Sequence, residues 1–388
     1  MIPMYDVIVI GGGPVGNKVA SLLSEDHDVL VMEEHDIPGR PMQCTGLVSD
    51  EVIDLSGVEP EILNKLYGAN IIFPNGKSIS IRSKEHKAVL IDREELDTKM
   101  ASKASDDGVD HAYGVHATSH KISEGLVSVN TDKGEFSASV IIGADGHNSK
   151  FAGTINDNGP AEYVRGIQVD VRHRSDDQEM INIRIGSDIA PGFFSWEIPF
   201  GEMTRVGLCT RWSAGPPSEY LKRLLKITCL DNKEIVRKYS GRIPLGGRRR
   251  TYAERLLLAG DAACQVKPIS GGGLQPAFRS CYAAAETISE AFDEENFSEE
   301  FLGVYEKRWK KDVGKELKRG YRLRKMYLTM TDDELNKIYG IADKENIRDI
   351  LSSGNIDHPS DLLPLILKNP AAAVHMTPMM FKAMMRSL

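Results

Sequence analysis

The sequence predicts an α/β protein, α+β overall, in which a Rossmann-like layer carries an antiparallel sheet and a helical C-terminal region. Three observations lead there. Val7 to Ile10 is a short β-branched run that enters Gly11-Gly12-Gly13-Pro14-Val15-Gly16, then a helical pattern through Ala20, Leu22 and Leu23, then the strand Val29 to Met32. Leu256 to Ala259 is a second apolar run of the buried parallel type, and it leads into Gly260-Asp261. Between these two stretches lie short alternating strands, and from Ser298 onward the chain reads as mainly helical.

The first unit reads as strand, glycine turn, helix and strand, with Glu33 at the end of the second strand. Gly11, Gly13 and Gly16 have the GxGxxG spacing, with Pro14 opening the helix. That spacing gives a tight turn, close backbone approach to a pyrophosphate and close packing of helix on strand. Glu33 stands where a carboxylate can hold a ribose hydroxyl. The bland alternative, a tight turn without a ligand, is weakened by the flanking strands and the acid.

From Tyr67 to Ile91 the pattern becomes short alternating strands, with Pro74-Asn75-Gly76 turning between residues 71–73 and 79–81. Arg93 to Asp107 reads as helix. Strands are expected near 112–118, 125–131 and 135–142, the last running into Gly143-Ala144-Asp145-Gly146; they suggest a meander that crosses over a parallel sheet. Residues 160–245 read as strands with one helix near 218–228.

Composition narrows the class. The 388 residues carry 48 Lys plus Arg against 56 Asp plus Glu, a net charge of −8, which argues against a nucleic-acid partner. Five cysteines with no CxxC pair fit neither a disulfide framework nor a metal cage, so no metal site is expected. The N-terminus lacks the features of a signal peptide, and no segment reaches the ~18 apolar residues of a spanning helix. A cytoplasmic protein is expected, peripheral at the inner face of the cell membrane.

The stretch Gly260-Asp261-Ala262-Ala263, with Pro268 and Gly271-Gly272-Gly273 downstream, puts a carboxylate and several N–H groups at one sheet edge. Such an edge suits a ribityl hydroxyl beside the electron-rich end of a flavin. Alone, the aspartate could equally cap a core helix.

Taken together, Gly11/Gly13/Gly16 with Glu33, Arg93 at a helix start, Gly143 to Gly146, and Gly260-Asp261 with the downstream glycines resemble the FAD-dependent fold of the aromatic hydroxylases and geranylgeranyl reductases. The resemblance implies FAD as cofactor, with Glu33 on the adenosine ribose, Arg93 near the pyrophosphate or ribityl chain, Asp261 on the ribityl chain and Asp145 stabilising the FAD. It also implies a discontinuous FAD-binding domain (1–66, 88–158 and 245–297), a prenyl-binding sheet domain (67–87 and 159–244) and a helical region (298–388).

Two stretches point within that family. Pro191-Gly192-Phe193-Phe194-Ser195-Trp196-Glu197-Ile198-Pro199 resembles the PxxYxWxFP signature of geranylgeranyl reductases, with Phe194 for Tyr and Ile198 for Phe. The resemblance implies a prenyl pocket at Pro191, Phe194, Trp196 and Pro199; Phe194 and Trp196, two apart on a strand, share a face. Gln43-Cys44-Thr45-Gly46 resembles the Cys-x-Gly segment placed near the flavin, which makes Cys44 the candidate catalytic and cofactor-contacting cysteine. A small buried residue is the equal alternative for Cys44.

The implied reaction is saturation of isoprenoid double bonds in geranylgeranyl chains of archaeal-type membrane lipids, with a prenylated lipid as substrate and NADPH, ferredoxin or a reduced deazaflavin as external donor. A flavin monooxygenase of an apolar substrate and a non-catalytic prenyl carrier of related fold are the alternatives. Between Glu306 and Lys325 ten basic residues face three acids, with Tyr305, Trp309, Val313, Leu317 and Tyr321 at helical spacing. This basic amphipathic helix suits anionic headgroups, or else packs on the FAD domain. A Met-rich end, Met376 to Met385, suits lipid contact or core filling.

Overall fold

The computed structural model describes residues 4–155 and 159–387; the outermost residues of the expected domain ranges, 1–3, 156–158 and 388, lie outside them. Five strands form a parallel layer in the order Leu256–Leu258, Gly134–Gly143, Met4–Ile10, Val29–Glu33 and Asp110–Tyr113. Val7 stands beside Val29 on one side and Val140 on the other. Because side chains alternate along each strand, the layer is apolar on both faces. Val7, Val9, Val31 and Ile142 pack against the helices Pro14–Leu23 and Leu274–Asp293. Ile8, Ile10, Met32 and Ile141 pack instead against Val127 and Val129 of the crossing meander.

The expected strand near 112–118 is two strands. Asp110–Tyr113 ends the parallel layer, and Ala117–Ser123 starts the antiparallel meander with Leu126–Thr131. The chain changes direction at Gly114, whose φ of +63° is a left-handed conformation open to glycine.

A second sheet has seven strands in the order Ile235–Leu245, Glu162–Arg172, Met203–Arg211, Phe194–Phe200, Met180–Ile185, Gly68–Ile72 and Ser78–Arg82. It is antiparallel except where Met180–Ile185 runs parallel to Gly68–Ile72. That exception follows from connectivity, since the hairpin Gly68–Arg82 joins from far upstream in the chain and is not bound by the hairpin rule that makes sequential neighbours antiparallel. The hairpin turns through Gly76 with Ile71 opposite Ile79. Helix Pro217–Ile227 covers one face of this sheet, packing Leu221, Leu224 and Leu225 on Val169, Val206 and Leu208.

The basic stretch forms the helices Glu299–Trp309 and Lys315–Leu328 on either side of a π-helical segment, Lys310–Gly314. Tyr305, Trp309 and Val313 are buried in the core of the parallel layer, with Leu317 packed against it. The apolar stripe therefore belongs to the protein interior and does not face lipid; Lys311, Lys315, Lys318, Arg322 and Lys325 remain exposed. After the π segment, Leu323, Tyr327 and Met330 turn toward a cavity under the second sheet. Helices Asp332–Ala342, Glu345–Ser352, Leu362–Leu367 and Pro370–Ser387 close that region over Phe73 and Ile79. A buried ion pair, Lys267 Nζ to Asp357 Oδ1 at 2.5 Å, ties this cap to the loop before Gly271.

Candidate cofactor and substrate site

The glycine turn is built by contacts that admit no side chain. A Cβ at Gly11 would lie 2.4 Å from the Ala144 carbonyl oxygen, and one at Gly16 would lie 1.9 Å from that of Gly11. A Cβ at Gly13, by contrast, would meet no atom within 4 Å. The turn is thus packed on the protein side and open at the start of the Pro14–Leu23 helix, where a phosphate would approach its free N–H groups. Glu33 faces the same turn: its Oε2 accepts from Gly12 N at 2.7 Å and its Oε1 from His35 N at 3.0 Å.

Asp261 sits in the 3-10 turn Gly260–Ala263 after the strand Leu256–Leu258. Gly260 holds that turn through Gln265 Oε1, and Gln265 in turn donates to Tyr305 Oη at 2.8 Å. A Cβ on Gly273 would stand 3.1 Å from Asp261 Oδ1, so the carboxylate faces the N-terminus of the Leu274–Asp293 helix. Burial pushes the Asp261 carboxyl up to about 6, against the pull of the nearby Arg93 guanidinium.

Arg93 is buried and donates to Asp97 Oδ1 at 2.6 Å, while its Nε has no partner. Asp145 accepts from Lys150 N at 2.9 Å through Oδ2, and its buried Oδ1 has no partner; burial raises its pKa. Orphaned buried polar atoms are costly, and two of them lie on residues expected to meet the cofactor. With the open space at Gly13, they fit a bound FAD.

Cys44 lies against the Arg93 guanidinium and within electrostatic reach of Arg205. Its Sγ accepts from Gly46 N at 3.4 Å, and a Cβ on Gly46 would touch both arginine side chains. Residues from the second sheet fix this loop. Gln168 Nε2 donates to the Cys44 carbonyl at 3.0 Å, its Oε1 accepts from Thr45 Oγ1 at 3.0 Å, and Arg205 is clamped by Asp170 at 2.7 and 2.9 Å. Cys209 and Cys281 are sealed in the core, where burial pushes their thiols up to about 12.

Under the second sheet is an apolar cavity of about 390 Å³, within the range of small-ligand sites. Its walls come from the second sheet (Ile71, Ile183, Phe193, Phe194), from Pro268 and Ile269, and from the C-terminal helices (Leu323, Ile341, Met376). The polar side chains on it are already engaged. Arg324 binds Glu162 at 2.6 and 3.0 Å, and Tyr327 Oη donates to the Phe193 carbonyl at 2.6 Å. The loop from Pro268 to Gly273 is the shared wall: Gly273 adjoins Asp261, a Cβ on Gly271 would lie 3.3 Å from the Phe193 ring, and Pro268 lines the cavity.

Residues 6–343 match the lycopene cyclase protein family. The chain is 31% identical over 351 residues to digeranylgeranylglycerophospholipid reductase 2 of Methanothermobacter thermautotrophicus, covering 86% of this chain and 90% of that one. The chain belongs to the geranylgeranyl reductase family of FAD-dependent oxidoreductases. Among solved structures, a geranylgeranyl bacteriochlorophyll reductase-like protein of Thermoplasma acidophilum superposes with a TM-score of 0.85 at 23% identity, covering 98% of this chain and all of that one. The halogenase PltM, solved in complex with FAD, shares the fold with a TM-score of 0.67 at 15% identity over 96% of this chain and 85% of its own. The fold is thus the FAD-binding aromatic-hydroxylase type anticipated from the glycine, Asp145 and Asp261 motifs.

Within this family fold the structure brings Glu33, Arg93, Cys44, Asp145 and Asp261 to the open side of the parallel layer, and Phe194 to the cavity. Trp196 shares the face of Phe194, with ring centroids 6.1 Å apart, but packs over Gly207 and is not part of the cavity wall. Pro191 and Pro199 are buried at the two ends of the segment, where their carbonyls accept from Arg211 N and Asn64 Nδ2. Gly272 lies 3.0 Å, as a Cβ, from the Lys267 side chain. Sequence reasoning missed Phe193, the Gln168–Arg205–Asp170 clamp behind Cys44, and the cap residues Ile341, Ile347 and Leu351. Only the cap had a readable signal, in the helical spacing of Ile338 with Ile341 and of Ile347 with Leu351.

Proposed function

We propose that this chain saturates isoprenoid double bonds in the geranylgeranyl chains of archaeal-type glycerophospholipids, at a membrane surface, with FAD bound along Gly11–Gly16, Glu33, Arg93, Asp145 and Asp261. The observation that carries this reading is the apolar cavity sharing the Pro268–Gly273 wall with the Asp261 carboxylate. An isolated alkene has no carbonyl to accept electrons, so saturation adds a hydride to one carbon and a proton to the other. Reduced FAD, when bound, supplies the hydride.

The chain's own residues do the rest. Phe193, Phe194, Ile183 and Leu323 keep water out and hold the chain in one alignment. Tyr327, pushed up to about 12 by burial, stays a neutral hydroxyl engaged with Phe193. Cys44 is the thiol held at the junction of both domains between two guanidinium groups, and it is the protic side chain assigned to that point. The donor is external, with NADPH, ferredoxin and reduced deazaflavin as the chemistries to compare.

The test uses purified FAD-loaded protein, a chemical reductant and a digeranylgeranyl glycerophospholipid. The proposal expects products heavier by two hydrogens for each double bond. An oxygenated product would instead favour a monooxygenase, and an unchanged lipid carried in stoichiometric amount would favour a prenyl carrier.

A further inference from the structure

The C-terminal helix, Pro370–Ser387, is apolar on both faces. Its inner face buries Ala372 and Ala383 and turns Met376 and Met380 toward the cavities beneath. Its outer face carries Val374, Phe381 and Met385, exposed at 69%, 61% and 55%, with exposed Pro378 between them. Steps of four, three and four residues place these side chains on one stripe. Leu365 of the preceding helix Leu362–Leu367 is exposed as well.

A helix with an apolar face on each side needs a second apolar partner for the outer one, in a core or in lipid. This one lies on the surface of the chain, and among the described residues no helix is long and apolar enough to cross a membrane. The segment is also cationic: after Asp361 there is no Asp or Glu, while Lys368, Lys382 and Arg386 remain. Lys382 and Arg386 share the single carboxylate of Glu334, so the patch stays net positive.

We propose that this outer face docks on a lipid bilayer containing anionic headgroups, with Val374, Phe381 and Met385 sunk into the interface and the cations at headgroup level. Contiguous exposed apolar side chains mark an interaction surface. The charge selects the partner: two copies meeting through this face would set like charges together with only Glu334 beside Lys382 and Arg386 to offset them, whereas an anionic bilayer complements them. The inference rests on the prenyl-lipid reading, because it makes the roof of the cavity the surface that meets the membrane where such a lipid resides.

The experiment compares the holoprotein with the variant Val374→Ser/Phe381→Ser/Met385→Ser, by sedimentation with phosphatidylcholine vesicles with and without phosphatidylglycerol, followed by protein stain. The wild type should bind the anionic vesicles more strongly, and the variant should lose about tenfold or more of that binding while keeping its FAD and its turnover of detergent-solubilised lipid. Equal binding by both proteins overturns the proposal. So does a wild-type dimer that the substitutions dissociate, which would make the face a contact between copies. If the wild type saturates no prenyl lipid even in detergent, the functional reading fails separately, since sedimentation does not depend on turnover.

Discussion

Asp261 is expected to couple the proposed FAD site to pH. Its carboxyl, at 3.8 in an ordinary setting, is pushed up to about 6 by burial in the FAD-free chain. The folded chain therefore holds this proton more tightly than the unfolded one, and the stability it contributes is lost as pH rises from 3.8 to about 6. A ribityl hydroxyl donating to the carboxylate favours the ionised form, so FAD binding should gain what the empty site loses. We expect the FAD dissociation constant to fall about tenfold per pH unit below about 6 and to level off above it. Titrations from acid to neutral pH would check this; the slope should vanish in Asp261→Asn, and Gly13→Val, which fills the open space at the turn, should bind poorly at every pH. A wild type without the slope, or a slope retained in Asp261→Asn, would remove Asp261 from the site.

At the scale of elements, the start of the strand Phe194–Phe200 and the residue before it meet the cavity with side chains of different burial. Both Phe193 and Phe194 line the cavity, but Phe194 is half-buried whereas Phe193 is 2% exposed and also packs against the loop at Gly271. Phe194→Ala should weaken use of a prenyl substrate, the side chain's burial being worth roughly 1.5–3 kcal/mol, while sparing flavin content. Phe193→Ala should lower thermal stability by about 3–5 kcal/mol and loosen FAD together with activity. Steady-state KM, flavin absorbance and melting curves on both variants distinguish the two roles. Such distinctions were not legible in the sequence. Period two told which residues share a face of the strand, so Phe194 and Trp196 were correctly placed together, but it could not tell that Gly207 leaves room for the Trp196 ring over the neighbouring strand. The glycine turns, the parallel strands and the helix from Arg93 were readable because local geometry dictates them. The clamp from Gln168 and Arg205 onto the Cys44 loop was not, because it joins residues more than a hundred positions apart through sheet register. The stripe from Tyr305 to Val313 carried an ambiguous signal: an amphipathic helix looks the same whether its apolar face meets lipid or a neighbouring sheet, and here it meets the sheet.

For the whole molecule, the parallel layer supplies a turn open to a dinucleotide, the second sheet supplies one wall of an apolar cavity, and the C-terminal helices supply its roof. The buried Lys267–Asp357 pair joins the roof to the Pro268–Gly273 loop, so removing either partner leaves an uncompensated buried charge. The apolar cavity and the Asp261 carboxylate thus share the Pro268–Gly273 wall, the arrangement on which the proposed saturation of a prenyl lipid rests. The most direct measurement is mass spectrometry of lipids from a host that makes unsaturated archaeal-type lipids, with and without this chain. A series of masses rising by two hydrogens per saturated bond is expected, present with the wild type and depleted with Phe194→Ala at equal flavin content. Lipids of unchanged mass in cells that hold the yellow, folded flavoprotein together with a competent electron donor would contradict it.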